Sequence, residues 1–400
     1  MRVVLTCLPY YSHMMPVVVP VATALRRAGH TVAVATAPAM AGALARAGVD
    51  HLPLPHVRTL EELLTDPDFA SSPGMPAAPA RDGGERARAR ARPGRLTLAR
   101  AGALAGVFAR DVIVAAERWR PDLIVRECNE FGGYLAAERL GLPRAVLDIS
   151  PFSALNLPYV HDTLGAQRAD LGLDPVDDVW HPVRGLLAGI IPRAWYPPSL
   201  PVGPTRSYRP DPVAGALDPV LADLPDDRPL VVAGLGTVAP VVVPESRELL
   251  TAMVAALGEL PCTAVVAAEA DFPGPRPDNV RLVPFVPLSH LLGGAELFLS
   301  HGGFGSVHLA MAAGTPMVNV PMFGDQPANA ERIQELGLGL HVEPTAATPG
   351  ALAAACARVL ADHACRYRAA GMSRRLLAEP GYDVLADDLS ALHDRGRGRE

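Results

Sequence analysis

The chain has 400 residues, more than one ordinary core supports, so two domains are expected. Its 49% hydrophobic content indicates a globular protein, and its formal net charge of −6 argues against a nucleic-acid-binding protein. No lysine occurs, which excludes Schiff-base chemistry and a Walker A ATPase, because both need a lysine.

The cysteines and the N-terminus point to a cytoplasmic protein. Five cysteines are scattered along the chain without metal-site spacing: Cys7, Cys128, Cys262, Cys356 and Cys365. The opening run MRVVLTCLPYY is too short for a signal peptide, and no apolar run reaches transmembrane length. We expect a reduced cytoplasmic protein without an integral membrane segment.

The first part of the chain alternates predicted strands and helices. Strands are predicted at 3–7, 31–36, 122–125 and 144–148, and helices at 17–28 and 132–140. The strands are apolar runs typical of parallel strands buried on both faces. This alternation predicts a doubly wound α/β domain.

The pattern restarts after a proline-rich segment at 196–229, which indicates a linker. Strands are predicted at 230–235, 264–268, 280–283, 297–300 and 317–320, and helices at 245–257, 305–313, 327–335 and 348–361. The expected organisation is a first domain at 1–205, a linker at 206–228, a second domain at 229–380, and a C-terminal helix and tail at 381–400. Ligands of such sheets bind at the carboxyl ends of the strands.

Two loop segments bear on function. Residues 71–95 are rich in Pro, Gly and Arg, which favours a surface or substrate-covering loop over a nucleic-acid-binding arm. The only D-x-D, at 66–68, is interpreted as a turn rather than a metal site.

Residues 300–326, SHGGFGSVHLAMAAGTPMVNVPMFGDQ, place glycines between a predicted strand and a predicted helix. Glycines let backbone N–H groups approach a ligand, and a helix N-terminus favours an anion. His301 and Ser306 add side-chain donors beside Gly302, Gly303 and Gly305. A diphosphate fits this stretch, although a tight turn with glycines for packing is the alternative.

Asp325 and Gln326 follow the next predicted strand. A carboxylate beside an amide suits vicinal hydroxyls, although Asp325 as a helix N-cap is the alternative. A diphosphate beside hydroxyls describes a nucleotide sugar.

Several segments carry a family resemblance. HGGFGS, AAGTPMVNVP and DQPANAERIQELGLG resemble the donor site of family 1 glycosyltransferases, especially bacterial enzymes that modify natural products. SHMMPVVVPVATALRRAGHTVAVAT and RPDLIVRECNEFGGYLAAERLGLP resemble N-terminal segments of the same family. The similarity spans most of the chain except 71–95 and 196–229.

The resemblance implies a GT-B fold of two Rossmann-like domains that face across a cleft. It assigns the acceptor to the first domain and the nucleotide sugar to the second, with a C-terminal helix that returns to the first. The implied donor contacts are Gly236 and Thr237 near the diphosphate, Phe285 and Val286 near the base, His301 and its glycines at the phosphates, and Asp325 and Gln326 at the sugar.

The resemblance also assigns catalysis. His13, just after the first predicted strand, would be the general base, and imidazole suits that task near neutral pH. Ser12 stands where relatives commonly have glycine. Glu127 would orient the ring, with Glu130 as the alternative. Helix capping by His13, and a solvated cap role for the carboxylate near Arg126, are the alternatives.

The expected reaction is a metal-independent, inverting transfer with no tightly bound cofactor. A dTDP-sugar is the first expectation for the donor and a UDP-sugar the second. The acceptor would be a polyketide or another apolar aglycone, modified at oxygen, with carbon and nitrogen open. Aromatic residues after first-domain strands are candidates for its pocket or for the core: Tyr10, Tyr11, Phe131 and Phe152. A homodimer or an auxiliary protein stays possible.

A dinucleotide-dependent oxidoreductase is the first rival function. Residues 234–239 match G-x-G-x-x-A, a dinucleotide-binding pattern, but VVVPE follows where a helix should begin. An epimerase would need acid and base carboxylates that the sequence does not place. A catalytically silent auxiliary protein would need no base, yet His13 is present.

Overall fold

The structure is a computed structural model of the chain. It describes residues 1–59, 62–63, 97–150, 157–196, 205–211, 215–237, 239–269 and 271–397. The predicted loop at 71–95, the D-x-D at 66–68 and the candidate pocket residue Phe152 lie outside these ranges.

The chain folds as two compact units. One comprises Met1–Asp211 together with Glu379–Glu400, and the other comprises Pro212–Ala378. Each unit contains a parallel β-sheet, so the predicted doubly wound architecture is confirmed.

The first sheet has the order β3-β2-β1-β4-β5-β6-β7. Its strands are β1 Arg2–Thr6, β2 Thr31–Thr36, β3 Asp50–Pro53, β4 Leu123–Glu127, β5 Arg144–Asp148, β6 Leu186–Gly189 and β7 Thr205–Ser207. The strand order reverses between β1 and β4, where Thr6 pairs with Arg126. A ligand crevice is expected at the carboxyl ends of such a strand pair.

The helices of the first unit agree in part with the prediction. They are α1 Tyr11–His13, α2 Val19–Arg27, α3 Ala41–Arg46, α4 Ala103–Trp119, α5 Gly132–Leu140 and α6 Leu157–Asp170. The single helix predicted at 17–28 is wrong at its start, because a π-helical turn at Met14–Val18 joins α1 to α2. Pro16 lies in that turn and has no N–H for an α-helical hydrogen bond, which accounts for the wider turn.

The second sheet has the order β10-β9-β8-β11-β12-β13. Its strands are β8 Leu230–Gly234, β9 Thr263–Ala267, β10 Val280–Val283, β11 Leu297–Ser300, β12 Met317–Asn319 and β13 Gly339–His341. Its strand order reverses between β8 and β11, where Gly234 pairs with Ser300.

The helices of the second unit are α7 Pro219–Ala222, α8 Ala239–Val242, α9 Ser246–Gly258, α10 Leu288–Leu291, α11 Phe304–Ala313, α12 Gln326–Glu335, α13 Pro349–Ala361 and α14 His363–Leu377. The four helices predicted for this unit are present with ends within one residue of the prediction, whereas α7, α8 and α14 were not predicted. Thr348 caps α13 because its hydroxyl accepts the Ala351 N–H. None of the described helices is long and apolar enough to cross a membrane.

The C-terminal helix α15, Tyr382–Arg397, belongs to the first unit, which confirms the expected return. It is held there by Asp388, whose carboxylate accepts hydrogen bonds from Arg206 at 2.7 Å and from Tyr208 at 2.6 Å. Next to this contact, the Arg209 N–H donates to the Pro380 carbonyl at 2.7 Å.

Candidate active site

The first group of candidate residues lies at the carboxyl ends of the adjacent strands β1 and β4. The chain leaves β1 at Thr6 and reaches His13 at the end of α1, while Glu127 is the last residue of β4. Parallel pairing of these strands brings the two loops together.

His13 and Glu127 lie side by side. The distance from His13 Nδ1 to Glu127 Oε1 is 3.5 Å, and the side chains are 23% and 0% exposed. This is an ion-pair distance without hydrogen-bond geometry, since His13 Nδ1 has no hydrogen-bond partner among the described residues. Catalytic hydrogen bonds are often long in the unliganded state, so the pairing suits a base and its orienting carboxylate.

Glu127 is held as a carboxylate. Burial is the largest influence on its pKa and raises it, but His13, the Asn129 N–H and Arg100 together lower the pKa to about 2. The Asn129 N–H donates to Glu127 Oε1 at 2.8 Å, while the buried Oε2 has no partner among the described residues. A negative charge therefore stands beside His13 across the neutral pH range.

Glu130 lies in a different environment and pairs with Thr6, not His13. The Thr6 hydroxyl donates to Glu130 Oε2 at 2.6 Å, and the Gly133 N–H donates to both carboxyl oxygens at 2.9 Å. Burial is the largest influence on Glu130 and raises its pKa to about 7, despite these hydrogen bonds. The geometry thus favours Glu127 over Glu130 as the partner of His13.

Arg126 organises the turn after β4, a role that was not predicted. This arginine is fully buried, and its Nη1 donates to the carbonyls of Cys128 at 2.9 Å and Glu130 at 3.0 Å. Its Nη2 donates to the Pro182 carbonyl at 3.0 Å. Because the backbone turn after β4 closes around this guanidinium, Arg126 fixes where Glu127 and Glu130 point. An arginine at the end of an otherwise apolar strand was the available signal.

The described aromatic candidates have different surroundings in the structure. Tyr10 packs edge-to-face on His13, with ring centroids 5.1 Å apart, and Phe131 is buried beside Arg126. Tyr11 is 54% exposed. Tyr10 and Phe131 both line a cavity in the first unit, as a pocket role requires.

The second group of candidate residues follows β11 in the other unit. Gly302 has φ +81°, a conformation that favours glycine, and its N–H donates to the Ser300 hydroxyl at 3.1 Å. Gly303 stands at the N-cap of α11, and the Ser306 hydroxyl donates to its carbonyl at 2.9 Å. The helix thus begins at the end of the strand, as expected for an anion site.

The glycines of this loop have two different roles. A Cβ atom on Gly236 would lie 2.8 Å from His301 Cε1, and one on Gly303 would lie 2.6 Å from His301 Nε2. These two glycines make room for the imidazole, so the packing interpretation holds for them. A Cβ on Gly305 would meet nothing within 4 Å. Gly305 therefore faces open space at the helix N-terminus.

His301 is a buried, uncharged imidazole at neutral pH. Burial lowers its pKa to about 4, and an interaction with the Gly234 backbone only partly opposes the shift. Its buried Nδ1 has no hydrogen-bond partner among the described residues. A ligand that offers a partner here would remove the cost of that unpaired atom.

Asp325 and Gln326 stand where β12 leads into α12. Gln326 is buried, and its Oε1 accepts the N–H groups of Met322 at 2.8 Å and Phe323 at 3.1 Å. Its Nε2 makes no hydrogen bond with the described residues, so it stays able to donate. Asp325 occupies the N-cap position, but its side chain does not cap the helix.

Asn329 joins the loop after β11 to the start of α12 and was not predicted. Its Nδ2 donates to the Gly302 carbonyl at 3.0 Å and to Asp325 Oδ2 at 3.0 Å. Asn329 follows Asp325 by four residues, a spacing that places both on one face of α12. That spacing was the signal that could have identified it.

The remaining predicted donor residues lie after β8 and β10. Gly236 and Thr237 are exposed beyond the end of β8, next to β11 in the sheet. Phe285 is 69% exposed, whereas Val286 is 5% exposed and packs in the core. Phe285 therefore offers a ring face to a ligand, and the Val286 side chain does not. In the described part of the chain, no cluster of three His, Cys, Asp or Glu side chains is arranged to hold a metal ion.

Comparisons with known proteins identify relatives that match both units. Family models described as the N-terminal and C-terminal domains of erythromycin biosynthesis protein CIII-like proteins match residues 23–157 and 249–392. Tylactone mycaminosyltransferase of Streptomyces fradiae is 30% identical over 100% of this chain and 94% of its own. L-demethylnoviosyl transferase of Streptomyces niveus is 33% identical over 98% of both chains. The likeness therefore extends through both units.

Solved structures share the fold. The glycosyltransferase VinC, in complex with dTDP, is similar with a TM-score of 0.76 and 23% identity, over 99% of this chain and 100% of its own. The calicheamicin glycosyltransferase CalG4 is similar with a TM-score of 0.77 and 25% identity, over 98% of both chains.

The buried Glu130 carboxyl predicts a pH-dependent stability. Its folded pKa of about 7 lies above the ordinary value of 4.5, so the folded state holds a proton that the unfolded state releases. Stability should therefore fall as pH rises from about 4.5 through about 7, by on the order of 2–3 kcal/mol. Urea unfolding at pH 5 to 8 should show a smaller decline for Glu130→Gln. The exposed control Glu117→Gln should behave like the wild type, and an unchanged slope in Glu130→Gln would contradict the assignment.

The open space at Gly305 predicts a separation of stability from ligand binding. Gly305→Ala should stabilise the fold by about 0.5–1 kcal/mol, because alanine loses less entropy in a helix. It should weaken nucleoside diphosphate binding, since the new methyl group fills the approach to the N–H groups. Gly350→Ala, also the second residue of a helix and also open, is the matched control and should leave binding unchanged.

Gly303→Ala should instead destabilise the fold, because its Cβ would collide with His301. Thermal unfolding and calorimetric titration of the three variants separate these effects. Equal binding by Gly305→Ala and the wild type would contradict an anion site at this helix.

Proposed function

Because the chain belongs to the family 1 glycosyltransferases of the bacterial natural-product type, we propose that it moves a deoxysugar from a dTDP-linked donor to a hydroxyl group of an apolar natural-product aglycone. The proposed transfer inverts the anomeric carbon and takes place in the cytoplasm.

The loop after β11 carries this proposal. It combines the open N-terminus of α11, a buried His301 nitrogen without a partner, and backbone N–H groups that glycines leave accessible. The backbone N–H groups are donors without a fixed opposing charge, as a diphosphate requires, and the imidazole lies beside them. The dTDP bound to VinC, and the thymidine diphosphate bound to the related SsfS6, support the choice of nucleotide. UDP is the second candidate.

The sugar and base contacts are proposed from the same unit. Asp325 and the Gln326 amide would bind sugar hydroxyls. Asn329 would hold Asp325 at a fixed position relative to the loop after β11, because its Nδ2 donates to both Asp325 and the Gly302 carbonyl. Phe285 would cover the base, beside the backbone of Val286. Gly236 and Thr237 would contact the diphosphate from the end of β8.

The first unit would activate the acceptor. In the proposed step, His13 takes the proton of the acceptor hydroxyl while the hydroxyl oxygen bonds to the anomeric carbon. The bond from that carbon to the diphosphate oxygen breaks on the opposite face, and the diphosphate leaves with the electron pair. Glu127 would balance the charge of the imidazolium that forms. The N–H groups of the α11 N-terminus would stabilise the leaving diphosphate.

A nucleotide titration tests the donor site. dTDP should bind the wild type more tightly than NAD⁺ does, and His301→Ala should raise its dissociation constant by at least about tenfold, because a donor to the phosphates is lost. His308→Ala is the matched control, since His308 is also fully buried, on α11, with its pKa also lowered by burial to about 4. NAD⁺ binding without dTDP or UDP binding would favour the rival oxidoreductase.

A turnover assay tests the base. His13→Ala should lower kcat by about 10²–10⁴-fold, the contribution typical of general base catalysis, with dTDP affinity unchanged. Glu127→Gln should lower kcat by at least about tenfold, because the imidazolium loses its counter-charge. His161→Ala, on α6 of the same unit, serves as control. Full activity in His13→Ala would show that His13 is not the general base.

A further inference from the structure

The cavity lined by Tyr10 and Phe131 lies wholly within the first unit and has a volume of about 160 Å³. A cavity of about 150 Å³ holds one benzene molecule, so this one accommodates a single six-membered ring. Most of its wall is apolar: Leu8, Val57, Leu63, Leu104, Phe108 and Phe131. Tyr10 also packs against His13, which places the cavity near the proposed base.

Arg100 brings a positive charge to this apolar wall. Its Nη2 donates to the Tyr10 hydroxyl at 3.2 Å, and its Nε is buried without a hydrogen-bond partner among the described residues. No described carboxylate lies within ion-pair distance of it, although Glu127 acts on it electrostatically. Burial lowers the pKa of Arg100, but Tyr10 and Glu127 outweigh it and raise the pKa, so the guanidinium stays charged while its buried Nε–H has no partner among the described residues. An anionic group on a ligand would satisfy that N–H.

The other ionisable groups of the lining are accounted for. His56 is paired with Asp111, whose carboxylate accepts both its backbone N–H and its Nδ1. Arg58 interacts electrostatically with Glu62. Burial raises the pKa of Glu130 to about 7, so its carboxyl group is mostly protonated and uncharged below neutral pH. Among the described lining residues, Arg100 is therefore the cation that still has an N–H group available to bind a ligand.

We propose that Arg100 determines acceptor specificity by binding an anionic oxygen, a carboxylate or a phenolate, on the ring that enters this cavity. The guanidinium offers Nε–H together with a second N–H, a fork that matches a carboxylate. This proposal rests on the proposed function, since it names the class of acceptor. The acceptor would thus be apolar in its ring and charged at one edge.

Two probes of equal shape test the proposal. 4-Hydroxybenzoate and 4-hydroxybenzamide both contain one ring and one phenolic hydroxyl, and only the first is an anion at pH 7. Dissociation constants from ligand-observed NMR should favour the benzoate by at least about tenfold in the wild type. Arg100→Met should abolish this preference, and Arg100→Lys should keep part of it, because the charge stays but the fork is lost.

Two further variants separate recognition from structure. Tyr10→Phe removes the hydroxyl that Arg100 contacts and leaves the guanidinium, so the preference should persist. Arg118→Met, an exposed arginine on α4, should match the wild type. If the wild type binds both probes equally or neither detectably, or if Arg100→Met weakens both equally, the proposal is overturned.

The donor titration is run on the same samples. A preference that depends on Arg100, in a protein that binds neither dTDP nor UDP, would refute the proposed function and leave the anion site standing. If the protein binds dTDP but shows no preference between the two probes, the anion site is refuted and the proposed function stands.

Discussion

The turn that follows β4 depends on one buried charge. Buried backbone carbonyl groups beyond the end of a strand need hydrogen-bond donors. Here the Arg126 guanidinium donates to the carbonyls of Cys128 and Glu130. The same turn places Glu127 beside His13 and Glu130 beside Thr6. Two carboxyl groups three residues apart thus have pKa values of about 2 and about 7. Because their pKa values differ in this way, one glutamate stays a charged carboxylate while the other can hold a proton near neutral pH.

The second unit is proposed to hold an anion in a chain that contains no lysine. His301 is uncharged, and the N-terminus of α11 offers backbone N–H groups rather than a cation. A site of neutral donors has little charge to desolvate when it is empty. Two glycines make room for the imidazole, and a third leaves the helix end open, so the same loop provides packing and the space that the proposed binding needs.

The strand positions were predictable because apolar runs and turn residues mark them. The predicted strands at 31–36, 144–148, 280–283 and 297–300 agree with the structure at both ends. Helix α6 was missed because Leu157–Asp170 has no amphipathic stripe, and β6 because a run of four residues carries little pattern.

The candidate site was harder to predict from the sequence than the fold. Glu127 and Glu130 both follow the same strand, and only the backbone turn around Arg126 distinguishes their neighbours. The sequence equally could not show that Gly303 makes room for His301 while Gly305 faces open space. These are facts of packing between segments distant in the chain, which no local pattern encodes.

The unpaired atoms at these sites connect stability to binding. Arg100 Nε, Glu127 Oε2 and His301 Nδ1 are all buried and lack hydrogen-bond partners among the described residues. Each unpaired buried group destabilises the empty protein by about 1–3 kcal/mol, a deficit that a bound partner reverses. A ligand present at 100 times its Kd adds about 2.7 kcal/mol of stability. Buried atoms without a partner also occur away from these sites, as at Arg144 Nε and Tyr382 Oη, so only those within reach of a bound donor or acceptor connect stability to binding.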